Sequence, residues 1–334
     1  GGFYLETTNA GGTRQVYLND VREATVSITQ GNATVNGLAW RWMNTTAICE
    51  EMNVCTNAAC SSCVFSKRYG HSLVTFGGNL ARQDIPRGGG KVQSYLVLIG
   101  GRTALGFRSD VWISKNAGWR WTRQSISGPS FSARAYHASV TYGQKLFVFG
   151  GRSSSSAAIF NDVWRSTTVG KSWEKMTGRA NWPARYAAIG LAFPVDKTFN
   201  RGVLGIVGGY QSGSSITFSD FYASADDGAT WTNQGSDLPF GARSAASGVV
   251  IPRHTPDYWP KHSQNVPTAE SGETWYPIMP FVVCGGLSPR TRLNDCWTRR
   301  RGPVVMRSGA HAIKNGHVRW HLVSVALLLV GIAF

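Results

Sequence analysis

Acidic residues are scarce in this sequence. Asp and Glu together number 18 against 34 Lys and Arg, and charged residues make up only 16% of the 334 positions. The basic residues are mostly isolated arginines, with Arg299-Arg300-Arg301 as the only run of three, and no nucleic-acid motif accompanies them. The net charge of +16 therefore predicts a basic surface suited to acidic partners, and no nucleic acid.

Two further absences narrow the class of protein. No long amphipathic helical pattern stands out, which argues against a helical fold. No Gly-x-Ser-x-Gly elbow, phosphate loop or recognisable pair of site carboxylates occurs. We therefore expect no catalytic residue, no metal and no cofactor.

Glycine and tryptophan, by contrast, are abundant, with 39 and 13 residues. They recur in a fixed order: an apolar run, a Gly-Gly pair, a polar loop, an Asp followed by an apolar and an aromatic residue, and finally Gly and Trp. In the three clearest copies the same spacing separates the aromatic residue from the last Trp, since residues 112, 164 and 222 precede residues 121, 173 and 231. Such a register predicts repeated structural units, defined by Gly101, Asp110, Trp121, Gly151, Asp162, Trp173, Gly209, Asp220, Trp231, Gly286 and Asp295.

The repeats predict one all-β domain over residues 1–312, made of five four-stranded antiparallel units. A cysteine-bearing insertion at 44–66 and a proline-rich insertion at 252–277 interrupt them. The degenerate first unit carries its glycine pair at Gly11-Gly12 and is expected to lack its first strand. Residues 307–311 resemble the start of another unit, so strands from the two ends of the chain are expected to complete one sheet and close a ring.

These residues resemble the kelch repeat, whose units are the four-stranded blades of a β-propeller. The turn Ser224–Trp231 is also similar to the Asp-box of sialidases and other propellers, with degenerate copies at Ser114–Trp121 and Ser166–Trp173. The resemblance implies five blades in this chain, or six in a longer one. It implies structural hairpins between third and fourth strands. The physics of the repeated residues agrees, because Trp can cover the seam between blades and Asp can accept backbone hydrogen bonds.

The arginines that open the units are the candidate ligand-binding residues. Equivalent positions in a propeller lie on a ring about its axis, so these cations would converge at one mouth and attract carboxylate, sulfate or phosphate. Alternatively, each Arg pairs with an acid in the adjacent blade. The histidines that follow, His71, His137 and His311, are interpreted as packed strand residues rather than ligands. The candidate arginines are Arg68, Arg134, Arg185, Arg243 and Arg307.

The cysteines indicate an oxidising environment. Cys284 and Cys296 replace apolar pairs that should face each other across adjacent strands, so they are expected to form a disulfide. The insertion is expected to be tied by its own bridges, with a zinc site as the less favoured alternative. Asn32 and Asn44 begin glycosylation sequons, which agree with a secreted or surface protein. The four insertion cysteines are Cys49, Cys55, Cys60 and Cys63.

The C-terminal segment 313–334 consists of a spacer and a hydrophobic tail. Residues 322–334 are almost wholly apolar but short for a membrane span, which needs about 20 residues. Small residues at 308–310 followed by this layout match the signal for a GPI anchor. A short transmembrane anchor and a buried final strand are the alternatives.

Together these features predict an extracellular or cell-surface binding protein. The expected partner is an anionic protein or glycan, bound through loops and the arginine ring at one mouth. Membrane attachment would run through the C-terminal tail, and a homo-oligomer is compatible with the sequence. The alternatives are a carbohydrate-active enzyme of the sialidase or kelch-oxidase kind, and a subunit of an extracellular filament or sheath.

Overall fold

The computed structural model describes the strand backbone of residues 2–7, 13–18, 21–28 and 35–43, and residues 65–77, 95–115, 118, 120–153, 158–196, 201–251 and 281–298. All regular structure in these residues is β. The sequence repeats correspond to five units, numbered here in chain order: unit I spans residues 1–43, and units II to V are opened by Arg68, Arg134, Arg185 and Arg243.

Units II, III and IV each form a four-stranded antiparallel sheet in which the strands follow the order of the chain. The second strands are apolar on both faces and buried along most of their length, whereas the fourth strands are more exposed. In unit II the strands are β5 (Ser72–Phe76), β6 (Tyr95–Thr103), β7 (Gly106–Ser114) and β8 (Thr122–Arg123). In unit III they are β9 (Ala138–Tyr142), β10 (Lys145–Phe149), β11 (Val163–Ser166) and β12 (Glu174–Thr177).

Unit IV contains a small additional hairpin between its second and third strands. Its strands are β13 (Ile189–Asp196), β14 (Arg201–Val207), β15 (Tyr210–Gln211), β16 (Ile216–Thr217), β17 (Phe221–Ser224) and β18 (Thr232–Gly235), with β15 and β16 forming the hairpin. Unit V has three described strands, β19 (Ser247–Val250), β20 (Phe281–Leu287) and β21 (Arg292–Thr298).

Unit I consists of two hairpins, and their register corrects the predicted position of its glycine pair. They comprise β1 (Gly2–Thr7) with β2 (Thr13–Leu18), and β3 (Val21–Ile28) with β4 (Val35–Met43). Gly2 pairs with Leu18, two residues before Asp20. Gly101 likewise pairs with the residue two positions before Asp110. Gly2, rather than Gly11-Gly12, is therefore the repeat glycine, and β3 and β4 correspond to third and fourth strands.

The units pack side by side through tryptophan-sealed seams. The first strand of each of units II to IV contacts the first strand of the next unit. Trp173 of unit III lies in one apolar cluster with Val97 and Val111 of unit II, and Trp231 of unit IV lies in another with Val140 and Phe147 of unit III. The role predicted for these tryptophans agrees with this packing.

The glycine three positions before each of these tryptophans is required by close packing at the seam. Gly228 has a φ of +88°, and a β-carbon there would lie only 2.5 Å from Cγ1 of Val163 in the preceding unit. Gly170 meets Val111 in the same way, at 2.8 Å. These turns are built like an Asp-box, because the Gly228 N–H donates to Ser224 Oγ and the Thr230 N–H donates to Asp226. The predicted β-propeller of antiparallel blades is confirmed.

No helix in the described part of the chain is long and apolar enough to span a bilayer. The tail at 313–334, the proposed closing strand at 307–311 and the insertion at 252–277 lie outside the described residues, as do residues 44–64 of the insertion predicted at 44–66. Its last two residues, Phe65 and Ser66, are buried, and Phe65 packs against Trp121.

Candidate functional site

The arginines that open units II to V lie in the interior, where each pairs with the repeat Asp of its own unit. Arg134 is fully buried, and its Nη1 and Nη2 donate to the two carboxylate oxygens of Asp162 at 2.7 and 2.9 Å. Nη1 also donates to the Gly150 carbonyl at 2.9 Å. The same three hydrogen bonds recur in the other units, for Arg68 with Asp110, Arg185 with Asp220 and Arg243 with Asp295.

This geometry corrects the predicted arginine mouth for these four residues. Their exposure is at most 1%, and the guanidinium edge that would grip a ligand is occupied by a carboxylate. The alternative prediction, that each arginine pairs with an acidic residue, is nearer to the observed structure. It was wrong only about the location of the acid, which belongs to the same unit and not to the adjacent one. Arg307 lies outside the described residues.

The repeat aspartates tie strands and loops together. Trp164 Nε1 donates to Asp162 at 2.8 Å, and the same bond in units II and V explains why Trp follows two positions after the Asp in three of the four units. In unit II, burial alone would raise the pKa of Asp110, but hydrogen bonds and charge from Arg68, with the Trp112 N–H, hold that pKa below its usual range. The aspartates are therefore structural anions, as the sequence predicted.

Backbone hydrogen bonds connect the units just beyond these pairs. The Tyr136 N–H donates to the Gly70 carbonyl, the Ala187 N–H to the Tyr136 carbonyl, and the Ala245 N–H to the Ala187 carbonyl. All four residues have a φ between +51° and +62°. They occupy the same position of units II to V, so the loops that join one unit to the next form a fixed frame at one end of the sheets.

A row of tyrosines lies on this frame, on the surface that we call the loop face. The loop face consists of the connections between fourth and first strands and between second and third strands. The rings of Tyr69, Tyr136, Tyr186 and Tyr210 follow one another with centroid distances of 5.8, 6.0 and 5.5 Å. They cross units II, III and IV. Three of them are half-buried and Tyr69 is buried, so the row presents polar hydroxyl groups on an apolar base.

Two arginines interleave with this row. Arg152 follows the Gly-Gly pair of unit III, and its guanidinium lies 4.8 Å from the ring centroid of Tyr186 and 5.4 Å from that of Tyr136. Arg102, in the equivalent position of unit II, lies 5.2 Å from the ring centroid of Phe107. In the described ranges neither arginine is in salt-bridge contact with a carboxylate. These two cations therefore lie on aromatic rings, and no carboxylate of the described residues compensates their charge.

Tyr136 is at the centre of the loop face. Burial, followed by the neighbouring Tyr69, raises the pKa of Tyr136 to about 12, although the charges of Arg152 and Arg102 both act to lower it. Its hydroxyl therefore stays protonated at neutral pH and can donate a hydrogen bond to an anion.

Apolar hairpin tips project on two sides of this centre. Leu105, at the tip of the β6–β7 hairpin, is 74% exposed, and Ile216, in the β15–β16 hairpin of unit IV, is 45% exposed. Both hairpins connect second and third strands and therefore belong to the loop face. The surface thus combines central cations and phenols with flanking apolar groups.

These residues were not predicted from the sequence because they do not recur in every unit. Arg102 and Arg152 are replaced by Tyr210 and Leu287 in units IV and V, and Tyr136 is replaced by glycine or alanine in the other units. A comparison of the position directly after each Gly-Gly pair, and of the position two residues after each opening Arg, would have found Arg102, Arg152 and Tyr136.

The strand histidines are packed, as predicted. His137 is buried, and its Nε2 lies 2.9 Å from the hydroxyl of Ser72 in the preceding unit. Burial, with the charge of Arg134, lowers the pKa of His137 to about 3. Burial also lowers the pKa of His71 well below its usual value. Both rings are therefore neutral in the folded state at neutral pH, and His311 lies outside the described residues.

These histidines should make the protein acid-sensitive. Because the folded-state pKa of His137 is depressed, the unfolded chain binds the proton first. The corresponding stability is complete above about pH 6.5 and is lost towards about pH 3, at roughly 1.4 kcal/mol per pH unit for one histidine. We expect His137→Ala to reduce the loss of unfolding free energy between pH 7 and pH 5, measured by urea titration. Ala188 and Ala246 occupy the equivalent positions, so alanine fits. Equal losses in both proteins would contradict this expectation.

The remaining predicted sites are divided between described and undescribed residues. Cys284 and Cys296 pair across β20 and β21 and are joined by a disulfide with a Cα–Cα distance of 4.1 Å. The insertion cysteines and both sequon asparagines fall outside the described residues. In the described ranges, no group of three or more His, Cys, Asp or Glu side chains is placed to hold a metal ion.

Comparison with known proteins is consistent with this geometry. Residues 41–255, more than half of the chain, match the family described as the KLHDC2/KLHL20/DRC7 Kelch-repeats domain. The Arg–Asp pair, glycine register and strand order continue beyond that match into unit V.

Two curated relatives resemble parts of the chain. A leucine-zipper-like transcriptional regulator 1 of Homo sapiens is 29% identical over 160 residues, covering 44% of this chain and 18% of the relative. A tRNA wybutosine-synthesizing protein 2/3/4 of Oryza sativa subsp. japonica is 23% identical over 119 residues, covering 35% of this chain and 10% of the relative. The chain thus spans less than a fifth of either relative. With the family match over residues 41–255 and the blades described above, the chain belongs to the kelch-repeat family.

Proposed function

We propose that this chain is a protein-binding platform that recognises an acidic segment of its partner through the loop face. The observation that carries the proposal is the position of two cations on aromatic rings, Arg152 on Tyr136 and Tyr186 and Arg102 on Phe107, without a carboxylate partner in the described ranges. Arginine beside phenol hydroxyls is suited to binding a carboxylate, because both groups donate hydrogen bonds.

The distribution of charge supports an acidic partner. The few carboxylates of the described residues are largely used inside the protein, because four of them pair with the buried arginines. Asp227 binds Lys145 and Arg165 of the preceding unit, and Glu174 binds Arg165 within unit III. In the described part of the chain, most ion-paired carboxylates are therefore taken up by internal pairs and are not placed to neutralise Arg102 and Arg152.

Removing the two loop-face cations should weaken partner binding. We expect the Arg102→Ala/Arg152→Ala double variant to bind an acidic peptide at least about tenfold more weakly, since one charge-assisted hydrogen bond is worth roughly 1.5–3 kcal/mol. The matched control is Lys171→Ala/Lys175→Ala, which removes two exposed cations of unit III outside the loop face. Fluorescence anisotropy with a labelled Glu-rich peptide measures both. Equal weakening by the two variants would indicate attraction by net charge alone.

A glycan is the second partner class in this proposal, as the sequence analysis allowed. A glycan array probed with wild-type protein and with the arginine double variant would separate the classes. Selective binding of sulfated or uronic-acid glycans, in the absence of peptide binding, would replace the protein partner by a glycan. Release of a free sugar would instead favour the carbohydrate-active enzyme.

We also propose an extracellular location, based on the sequons, the paired Cys284 and Cys296, and the C-terminal tail. Treatment of intact cells with a phosphatidylinositol-specific phospholipase should release the protein, and a glycosidase that removes N-linked glycans should increase its electrophoretic mobility. Retention inside the cell with no mobility change would exclude this location.

A further inference from the structure

The backbone of Tyr136 provides the starting point. Tyr136 has a φ of +55°, a conformation that bulky residues adopt rarely and at a cost, whereas the equivalent residues are Gly70, Ala187 and Ala245. Glycine at this position of unit II shows that the frame does not need a side chain here. A tyrosine at a strained position, where neighbouring units have small residues, points to a role in binding.

The neighbours of Tyr136 define what would bind beside it. The Arg152 guanidinium lies 5.4 Å from the ring centroid of Tyr136, and the backbone of Arg102 pairs with that of Tyr69, whose ring lies 5.8 Å from the Tyr136 ring. The charges of both arginines also act on the Tyr136 hydroxyl group. An acidic group placed there would therefore be in reach of a phenol donor and close to two cations. Leu105 and Ile216 project from hairpins of units II and IV, on the two sides of unit III, which carries Tyr136. Covering such exposed apolar side chains with a partner removes apolar surface from water and therefore favours binding.

We infer that the loop face is built for an extended segment of a partner protein in which one acidic side chain is flanked on both sides by apolar ones. The acid lies beside Tyr136, between Arg102 and Arg152, and the apolar groups cover Leu105 and Ile216. This inference rests on the proposed function and adds to it the arrangement of the bound segment. The cations determine affinity for the acid, and the hairpin tips select the residues on either side of it.

The test uses random linear peptides displayed on phage and selected on the full chain. Wild-type protein should enrich peptides with Asp or Glu flanked on each side by a large apolar residue. For one such peptide, Tyr136→Gly should weaken binding about tenfold by loss of the phenol, while the fold is retained because Gly70 adopts the same conformation. Leu105→Ser/Ile216→Ser should weaken the same peptide by about tenfold as well.

A second peptide separates the contribution of the acidic side chain from that of its apolar neighbours. Its acid is kept and its apolar flanks are replaced by serine, so its affinity should be the same for wild-type protein and for the Leu105→Ser/Ile216→Ser variant. Thermal unfolding of every variant checks that the fold is intact. Enriched acidic peptides that depend on the two arginines but show no apolar flanks would overturn this inference and leave the proposed function standing. Enrichment of peptides without any acid would overturn both.

Discussion

Replacing Asp162 with alanine should lower the free energy of unfolding by about 3–5 kcal/mol, because the guanidinium of Arg134 would remain buried without its counter-charge. Arg134 is fully buried, and the Asp162 side chain is only 14% exposed. The change also removes the acceptor of the Trp164 N–H. Since domains of this kind are stabilised by only about 5–15 kcal/mol, one such loss consumes a large part of the total.

Urea titration followed by tryptophan fluorescence measures the effect, and the chain provides a matched control. Glu174 also binds an arginine, Arg165, but its side chain is 64% exposed. Glu174→Ala should therefore change the unfolding free energy by less than about 1 kcal/mol. If both variants lost the same small amount, the Arg134–Asp162 pair would not be the structural anchor that its burial indicates.

The double variant Arg134→Met/Asp162→Leu extends the argument. Replacing a buried ion pair by apolar residues of similar volume is often close to neutral, whereas removing one partner is costly. We expect this double variant to be more stable than Asp162→Ala alone. Because Arg134 also donates to the Gly150 and Ser132 carbonyls, it should remain less stable than the wild-type protein.

The repeat pattern was sufficient to predict the fold. The fixed order of Gly-Gly, Asp and Trp, with a constant spacing from Asp to Trp, reflects three requirements of units II to IV: a left-handed backbone at Gly101 and its equivalents, an anion for the buried arginine, and an indole for the seam. Since each requirement is local and recurs, periodicity in the sequence reports it directly. The repeat glycine of the N-terminal unit was harder to predict, because this unit contains two glycine pairs, Gly1-Gly2 and Gly11-Gly12. Only the strand register identifies which pair is equivalent to Gly100-Gly101.

The candidate site could not be read from the same periodicity. Every unit that opens with a buried arginine also contains a repeat aspartate, and this co-occurrence indicates an internal Arg–Asp pair such as that of Arg134 and Asp162. Functional residues such as Arg152 and Tyr136 depart from the repeat, so they stand out only when equivalent positions are compared between units. The Arg134 side chain points into the interior, where it binds the Gly150 carbonyl, and not towards the mouth of the propeller. This direction depends on three-dimensional packing, which the spacing of residues in the sequence does not reveal.

The second large effect is expected at the seam between units III and IV, where Trp231→Ala should cost about 3–5 kcal/mol of unfolding free energy. Trp231 is only 5% exposed and lies in one apolar cluster with Phe147 and Leu204, which come from the two different units. Its ring lies 5.6 Å from that of Phe149 and 5.9 Å from that of Trp182. Its Nε1 donates to the Gly228 carbonyl at 3.0 Å, so alanine removes both the packing and this hydrogen bond.

Two further variants separate packing from polarity at this seam. Trp231→Phe keeps most of the aromatic surface but loses the N–H donor, so its cost should be smaller, about 1–2 kcal/mol. Leu105→Ala, at a residue that is 74% exposed, should stay within about 0.5 kcal/mol of the wild-type protein. Urea titration measures all three. Because the cluster joins two units, a loss at Trp231 should lower the midpoint of a single unfolding transition. If unit IV instead melted alone while the rest stayed folded, the seams would not couple the blades.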